Sequence, residues 1–470
     1  MKISSTYLIS LFFYLLYAFP ILISGVLFKD DVLRVLTNSG TSWVRDGRPF
    51  LAGINYLLNF GISVYNLSPL TQILGLLAIC TTIYLFVKKY LTEFSEGLQV
   101  LCIISFVICP FFLENLGYNY ESFGMCIALA LTVLPFCFFD NLPLPYTGLL
   151  FMVTSFSVMC FYQPVVMAMF IFVMITLYLN PAILKLSLVR VGGICAGGII
   201  YMLSIAKFMV AHDGYQGLHA GLTTDVSIWL KNFQVYMSQF RQMFLPDVDS
   251  PIAFLFILVV IAILFSLVGY IKTLDKKFWF VGLFPFISIP ITILPLCLLT
   301  NPIYMPRTSI AFNVVFFFGM ILLAQLVKKA KFMVWLPILV VVWCFTFSYL
   351  LGNVVQAQER YQDRLTSYIA YDLGKVNMGK DTKIFIDGKR PVCLEALNAE
   401  KKYKIFHVMN NSLVRTDVDF FGPYLSHHLN KDIVVHLNKE IAKGKKYQII
   451  SAHALYLLLT DGQNIIIYIR

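Results

Sequence analysis

At 470 residues, 59% hydrophobic and only 13% charged, the chain carries more apolar surface than a soluble protein of its size can bury, which excludes a globular cytosolic enzyme and points to a bundle of membrane helices. Its formal net charge of +11 falls largely in short Lys/Arg clusters between apolar runs, so it argues for a membrane topology signal and against nucleic acid as a partner. Among the ten cysteines there is no CxxC pair and no zinc spacing; only Cys393 lies in a polar stretch, and they read as small buried hydrophobes.

Met1 and Lys2 precede an apolar run, residues 7–28, that is long enough for one span of roughly 20 residues. Ser24-Gly25 matches a signal-peptide cleavage site poorly, so an uncleaved first helix is expected. The stretch 29–48, KDDVLRVLTNSGTSWVRDGR, follows at once and concentrates polar chemistry at the end of that helix. A moderately apolar segment then reaches residue 68. Further spans are expected over 69–87, 98–113 and 123–139, then two that meet at Tyr162-Gln163-Pro164, and one over 191–210. The loop 212–251 contains WLKNFQVYMSQFRQMF, which reads as an amphipathic helix on the membrane surface. The last four spans are 252–271, 278–299 with three prolines and an expected kink, 308–327, and 332–350.

With Lys2 inside, alternate loops carry Lys88/Lys89, the stretch 140–146, Lys185/Arg190, Lys272/Lys276/Lys277 and Lys328/Lys329/Lys331, and all but one of these are basic. The positive-inside rule then places the other set outside: 29–68, 114–122, Tyr162-Gln163, 212–251, 300–307 and everything after residue 350. The tail 351–470 begins with a polar helical pattern and continues in short alternating β-branched runs; TDGQ between two apolar runs reads as a hairpin turn. The expected fold is an α-helical polytopic membrane protein of about 11 spans, residues 1–350, with a small outer α/β domain, residues 351–470. That domain fits docking, lid or acceptor-binding work.

The outward set holds the residues that could carry chemistry. Asp30 and Asp31 offer a carboxylate to deprotonate a hydroxyl, one acting and the other orienting it. Arg34, Arg45 and Arg48 bring planar donors suited to phosphate, Asp46 a third carboxylate and Trp43 a stacking surface. Glu114, Tyr118 and Glu121 are either a plain polar loop or a second acidic lining, and Tyr162 and Gln163 stand at a helix end on the same side. Arg307, after Pro302 and Pro306, suits either a headgroup anchor or a lipid phosphate. His212, Asp213, His219, His427, His428, Asp417 and Asp419 fit no metal motif and read as solvated. There is no Walker loop, no GxGxxG after a strand and no GxSxG. A site facing away from the cytoplasm also disfavours a nucleotide as direct donor.

An acidic pair just after the first membrane helix, outside a many-helix bundle, resembles the GT-C superfamily of lipid-dependent glycosyltransferases. The residues Asp30, Asp31, Arg34, Trp43, Gly47, Arg48 and Pro49 resemble more specifically the Gtr type II family of serotype-converting O-antigen glucosyltransferases, often encoded by phages. The resemblance implies an undecaprenyl-phosphate-glucose donor, flipped outward by a partner flippase after synthesis by a polyprenyl-phosphate glucosyltransferase. It further implies a lipid-linked O-antigen acceptor of lipopolysaccharide, an active site on the periplasmic face of the bacterial inner membrane, and a direct, inverting displacement. Members of the superfamily differ in metal dependence, so a divalent metal stays open. The rival readings are another GT-C enzyme acting on protein or lipid A, a flippase or other transporter, and an O-antigen polymerase. A transporter would favour ionisable residues at mid-membrane depth, and the expected spans hold almost none.

Overall fold

The computed structural model describes residues 4–138, 142–211, 219, 221–245, 251–274, 276–376, 382–415, 420–429, 433–437 and 447–470. Four of the residues weighed as metal candidates, His212, Asp213, Asp417 and Asp419, fall outside them. The chain divides into two units, one of Met1–Ile23 with Ser39–Tyr349, the other of Ser24–Asn38 with Leu350–Arg470.

Among the described residues, eight helices are long and apolar enough to cross a membrane: Ser5–Leu22, Leu70–Tyr90, Leu144–Phe161, Pro181–Met209, Pro251–Ile271, Phe278–Cys297, Phe312–Lys329 and Lys331–Gly374. Three of the spans expected from sequence fall instead on shorter apolar helices, Glu96–Ser105, Ser122–Phe138 and Gln163–Leu179. The run 98–113 is not one helix: it breaks after Ser105, passes through Pro110 and resumes as Phe112–Gly117. Every residue from Cys102 to Ser122 is buried, so these segments are clad by neighbouring helices and do not each have to span the lipid. The helix Lys331–Gly374 is exceptional in the other direction. Its α-helical part, Trp335–Gly374, has 40 residues, about 60 Å and twice the hydrocarbon thickness, and only its first half is apolar.

The centre of the first unit is aromatic. Phe86, Phe106, Phe136, Phe172 and Phe317 meet edge-on or tilted, with Phe86 and Phe172 centroids 5.2 Å apart. Close helix contact depends on small residues elsewhere. On Leu184–Tyr201, Gly193 and Gly197 lie four apart and press on the helix Leu144–Phe161; a Cβ at Gly197 would sit 2.0 Å from Ser155 Oγ and 2.2 Å from the Met152 carbonyl. The same helix shows that Arg190 is no loop cation. It is buried against the rings of Phe136 and Phe151, 5.1 and 5.5 Å from their centroids, because Asn180-Pro181 starts the helix well before it.

The second unit holds a five-stranded mixed sheet. Its strands are β1 (Ile384–Gly388), β2 (Val435–Leu437), β3 (Gln448–Ala452), β4 (Tyr456–Thr460) and β5 (Ile465–Ile469), in the order β2-β1-β5-β4-β3. β1 runs parallel to β2 and β5; β4 runs antiparallel to β3 and β5. The β4–β5 hairpin turns at TDGQ, where Asp461 accepts from the backbone N–H groups of Gln463 and Asn464 and Gly462 takes φ +90°. The core beneath the sheet joins Ile384, Ile386, Tyr456 and Ile467 to Leu365, Ile369 and Leu373 of the long helix. Val32, from the helix Asp30–Thr37, is part of that core.

Gly197→Leu is expected to force the two helices apart, at about 1–3 kcal/mol for an overpacked core site. A lower melting temperature of the purified protein in detergent checks this; an unchanged value contradicts the close contact.

Candidate active site

Burying a charge in an apolar bundle is unfavourable unless the charge is paired and hydrogen-bonded. The first unit solves this with a cluster drawn from five stretches far apart in sequence. The short helix Thr41–Arg45 and the turn after it bring Trp43 and Arg48 together on Glu121. Trp43, fully buried, donates its indole N–H to Glu121 Oε1 at 2.8 Å, and Arg48 Nη1 pairs with Glu121 Oε2 at 3.0 Å. Both oxygens of one carboxylate are thereby used. Burial is the largest single effect and works against the charge of Arg48; Glu121, Tyr162 and Asp46 together more than offset it, so the guanidinium pKa is raised although Arg307 acts the other way.

Arg48 Nε also donates to Gln163 Oε1 at 3.3 Å, and its guanidinium lies over the Tyr162 ring at 5.1 Å. Gln163 then donates to the Asp46 carbonyl at 3.0 Å and to Tyr201 Oη at 2.9 Å, while Tyr201 donates to the Gly47 carbonyl. Gly47 is required there: its φ is +74°, and a Cβ would come within 2.4 Å of the Tyr201 hydroxyl. Asp46 thus enters through its backbone carbonyl, and the Gly-Arg-Pro stretch is fixed from both sides.

Tyr162 links this cluster to Arg307. Its hydroxyl donates to the Arg307 carbonyl at 3.2 Å, as does Asn115 Nδ2. The Arg307 backbone N–H donates to Glu114 Oε2 at 2.9 Å, and the guanidinium lies 4.4 Å from the centroid of the Tyr118 ring. Glu114, Asn115, Tyr118 and Glu121 are all buried, which removes the plain solvated-loop reading of that stretch.

The approach to Arg307 is braced by the helix Val226–Phe244. Asn232, Tyr236 and Gln239 lie on one of its faces, at spacings of four and three. They donate to the carbonyls of Cys297 and Leu299, of Ile303, and of Tyr304. The helix expected from sequence is present, and its inward face works by hydrogen bonds to irregular backbone. His219 belongs to the same bracing, bonded through Nδ1 to the Asn301 carbonyl.

Asp30, Asp31 and Arg34 lie in the second unit, on the helix Asp30–Thr37. Their environments differ. Asp31 is 1% exposed and its Oδ2 accepts the Phe28 backbone N–H at 3.0 Å, tying down the start of its own helix; Asp30 is half-buried. Arg34 is buried on the same helix. His428 pairs with Asp363 at 3.3 Å, and His427 is exposed. Among the described residues no three His, Cys, Asp or Glu side chains are grouped to hold a metal ion.

Sequence reasoning nominated Arg48, Trp43, Tyr162, Gln163, Glu114, Tyr118 and Arg307, and the structure brings these seven together. Glu121, which from sequence reads with Glu114 and Tyr118 as either a plain polar loop or a second acidic lining, joins Trp43 to Arg48; Tyr201 stands in an apolar run like any core aromatic.

Residues 19–324 match the model of a family described as Glucosyl transferase GtrII. The chain is also similar to a protein of Salmonella phage P22 described as an uncharacterized 55.3 kDa protein in the gtrB 5′ region, 26% identical with 78% of each chain covered. No solved structure matches.

Glu121→Gln should keep an acceptor for Trp43 and leave the Arg48 charge unbalanced, a loss of about 3 kcal/mol for a broken buried pair. Trp43→Phe removes one hydrogen bond and should lose only about 1 kcal/mol. Thermal unfolding of both variants in detergent ranks them; equal losses would contradict a charge-pairing role for Glu121.

Proposed function

This chain belongs to the GtrII glucosyl transferase family, and we propose that it moves glucose from undecaprenyl-phosphate-glucose onto a sugar of lipid-linked O-antigen, altering serotype, on the periplasmic face of the bacterial inner membrane. The observation that carries the reading is the buried Arg48–Glu121–Tyr162–Arg307 cluster, which lies within the family-matched residues. Buried ion pairs are poor devices for stability, since packed hydrophobes of the same volume often do as well or better. A bundle that keeps two arginines, two glutamates and three tyrosines in one buried network therefore has a chemical use for them. Lipid phosphate and sugar hydroxyls are the groups that this donor set suits.

The reaction is a single displacement. A carboxylate takes the proton of the acceptor hydroxyl as its oxygen bonds to the anomeric carbon of glucose. The bond from that carbon to the phosphate oxygen breaks, and the electron pair leaves on undecaprenyl phosphate. One displacement inverts the anomeric centre. Asp30, the more exposed member of the acidic pair, is assigned as the base; Asp31, engaged at its own helix start, orients it. Arg307 is assigned to the leaving phosphate, with Arg48 and Arg34 the other cations of the machinery. Glu114, Tyr118 and Gln163 are assigned to positioning substrate hydroxyls and the arginines. The acidic phosphate and hydrocarbon tail of the donor reach the protein from the membrane. A flippase and a polyprenyl-phosphate glucosyltransferase supply that donor; the phage relative's position by gtrB supports a shared gene system.

Structural analysis of O-antigen from cells carrying the protein tests this. Wild type should add glucose to the repeat, while Asp30→Asn and Arg307→Ala, inserted at normal levels, should lower the glucosylated fraction at least tenfold. Asp31→Asn should lose activity together with thermal stability. O-antigen unchanged by the wild-type protein, or full glucosylation by Asp30→Asn, would overturn the assignment.

A further inference from the structure

The turn that introduces the acidic pair is strained. Lys29 has φ +29° and ψ −93°, a backbone conformation that a residue with a Cβ adopts only when its surroundings impose it. The surroundings here are specific. Asn411 is fully buried and grips the backbone on both sides of Phe28: its Oδ1 accepts the Lys29 N–H at 3.3 Å and its Nδ2 donates to the Leu27 carbonyl at 2.8 Å. Asn411 is in turn held by Gln362, whose Nε2 donates to the Asn411 carbonyl at 3.0 Å and whose Oε1 accepts the Leu413 and Val414 N–H groups. Gln362 is also fully buried and sits on the long helix Trp335–Gly374. Two amides from the C-terminal part of the chain thus fix the residue immediately before Asp30.

We propose that Asn411, backed by Gln362, is a positioning residue for glycosyl transfer: it holds the Leu27–Lys29 turn in the shape that aims the Asp30 carboxylate. This rests on the assignment of Asp30 as the base. It gives the C-terminal region a part in catalysis beyond docking. A misplacement of about 1 Å in a reacting group lowers rate by up to about 100-fold while substrate binding is retained. The defect expected on loss of Asn411 therefore falls on kcat.

The test uses the full-length protein in lipid nanodiscs, with undecaprenyl-phosphate-glucose and a lipid-linked O-antigen repeat as substrates. Asn411→Ala should lower kcat about 10- to 100-fold with KM for both substrates unchanged. Glycine tolerates positive φ without help, so adding Lys29→Gly to Asn411→Ala should restore part of kcat, whereas Lys29→Gly alone should not raise it. A merely structural Asn411 would lose folded protein and show no such rescue. Should Asn411→Ala fail to fold, Asn411→Asp is read the same way, since it keeps the acceptor for Lys29 and loses the donor to Leu27. Full kcat in a folded Asn411 variant, or a change confined to KM, overturns the proposal. Asp30→Asn separates the two levels: if it is inactive while Asn411→Ala is fully active, only the positioning role fails, and if it is fully active, the base assignment fails as well.

Discussion

The pairing of Arg48 with Glu121 is the constraint on which the first unit's buried polar network depends. Each group alone would be a buried charge without compensation; together, with Trp43 on the second carboxylate oxygen, they form a satisfied network. That network fixes the Gly47–Pro49 turn, which in turn holds Gln163 and Tyr201, and Tyr162 carries the same order across to Arg307. The irregular backbone before Arg307 is satisfied by the side chains of one amphipathic helix. Non-helical backbone inside an apolar bundle is tolerated only where such partners exist. The backbone polar groups before Arg307 thus find their partners within the bundle.

The seven nominated residues of this cluster were legible because they are polar residues abutting apolar runs, where a polar side chain has few reasons to be. Their pairing was not legible. Glu121 lies 73 positions from Arg48, and nothing local says which cation its carboxylate meets. The extent of the bundle was visible in the hydropathy pattern, but its lengths were not. A run such as 98–113 looks like a span whether it crosses lipid or folds back within other helices, since both surroundings are apolar. The hairpin at TDGQ was readable from turn chemistry alone, and the mixed order of the sheet was not, because β1 pairs with strands distant in sequence.

The acidic pair teaches a different lesson. From sequence, Asp30 and Asp31 belong to the mouth of the first helix. In the structure their segment is built into the C-terminal unit, through Val32 in its core and Asn411 on its turn. The structure also separates two adjacent carboxylates that composition treats alike: Asp31 is buried and accepts the Phe28 N–H at the start of its helix, and Asp30 is half-buried.

In the proposed reaction the substrate phosphate is a lipid phosphate. Purified protein in nanodiscs, given glucose-labelled undecaprenyl phosphate in one reaction and labelled UDP-glucose in another, with the same lipid-linked O-antigen repeat, tests it directly. Label is expected in the repeat from the lipid donor only, with the anomeric configuration inverted. Transfer from UDP-glucose in the absence of the lipid donor, or none from the lipid donor, would contradict it.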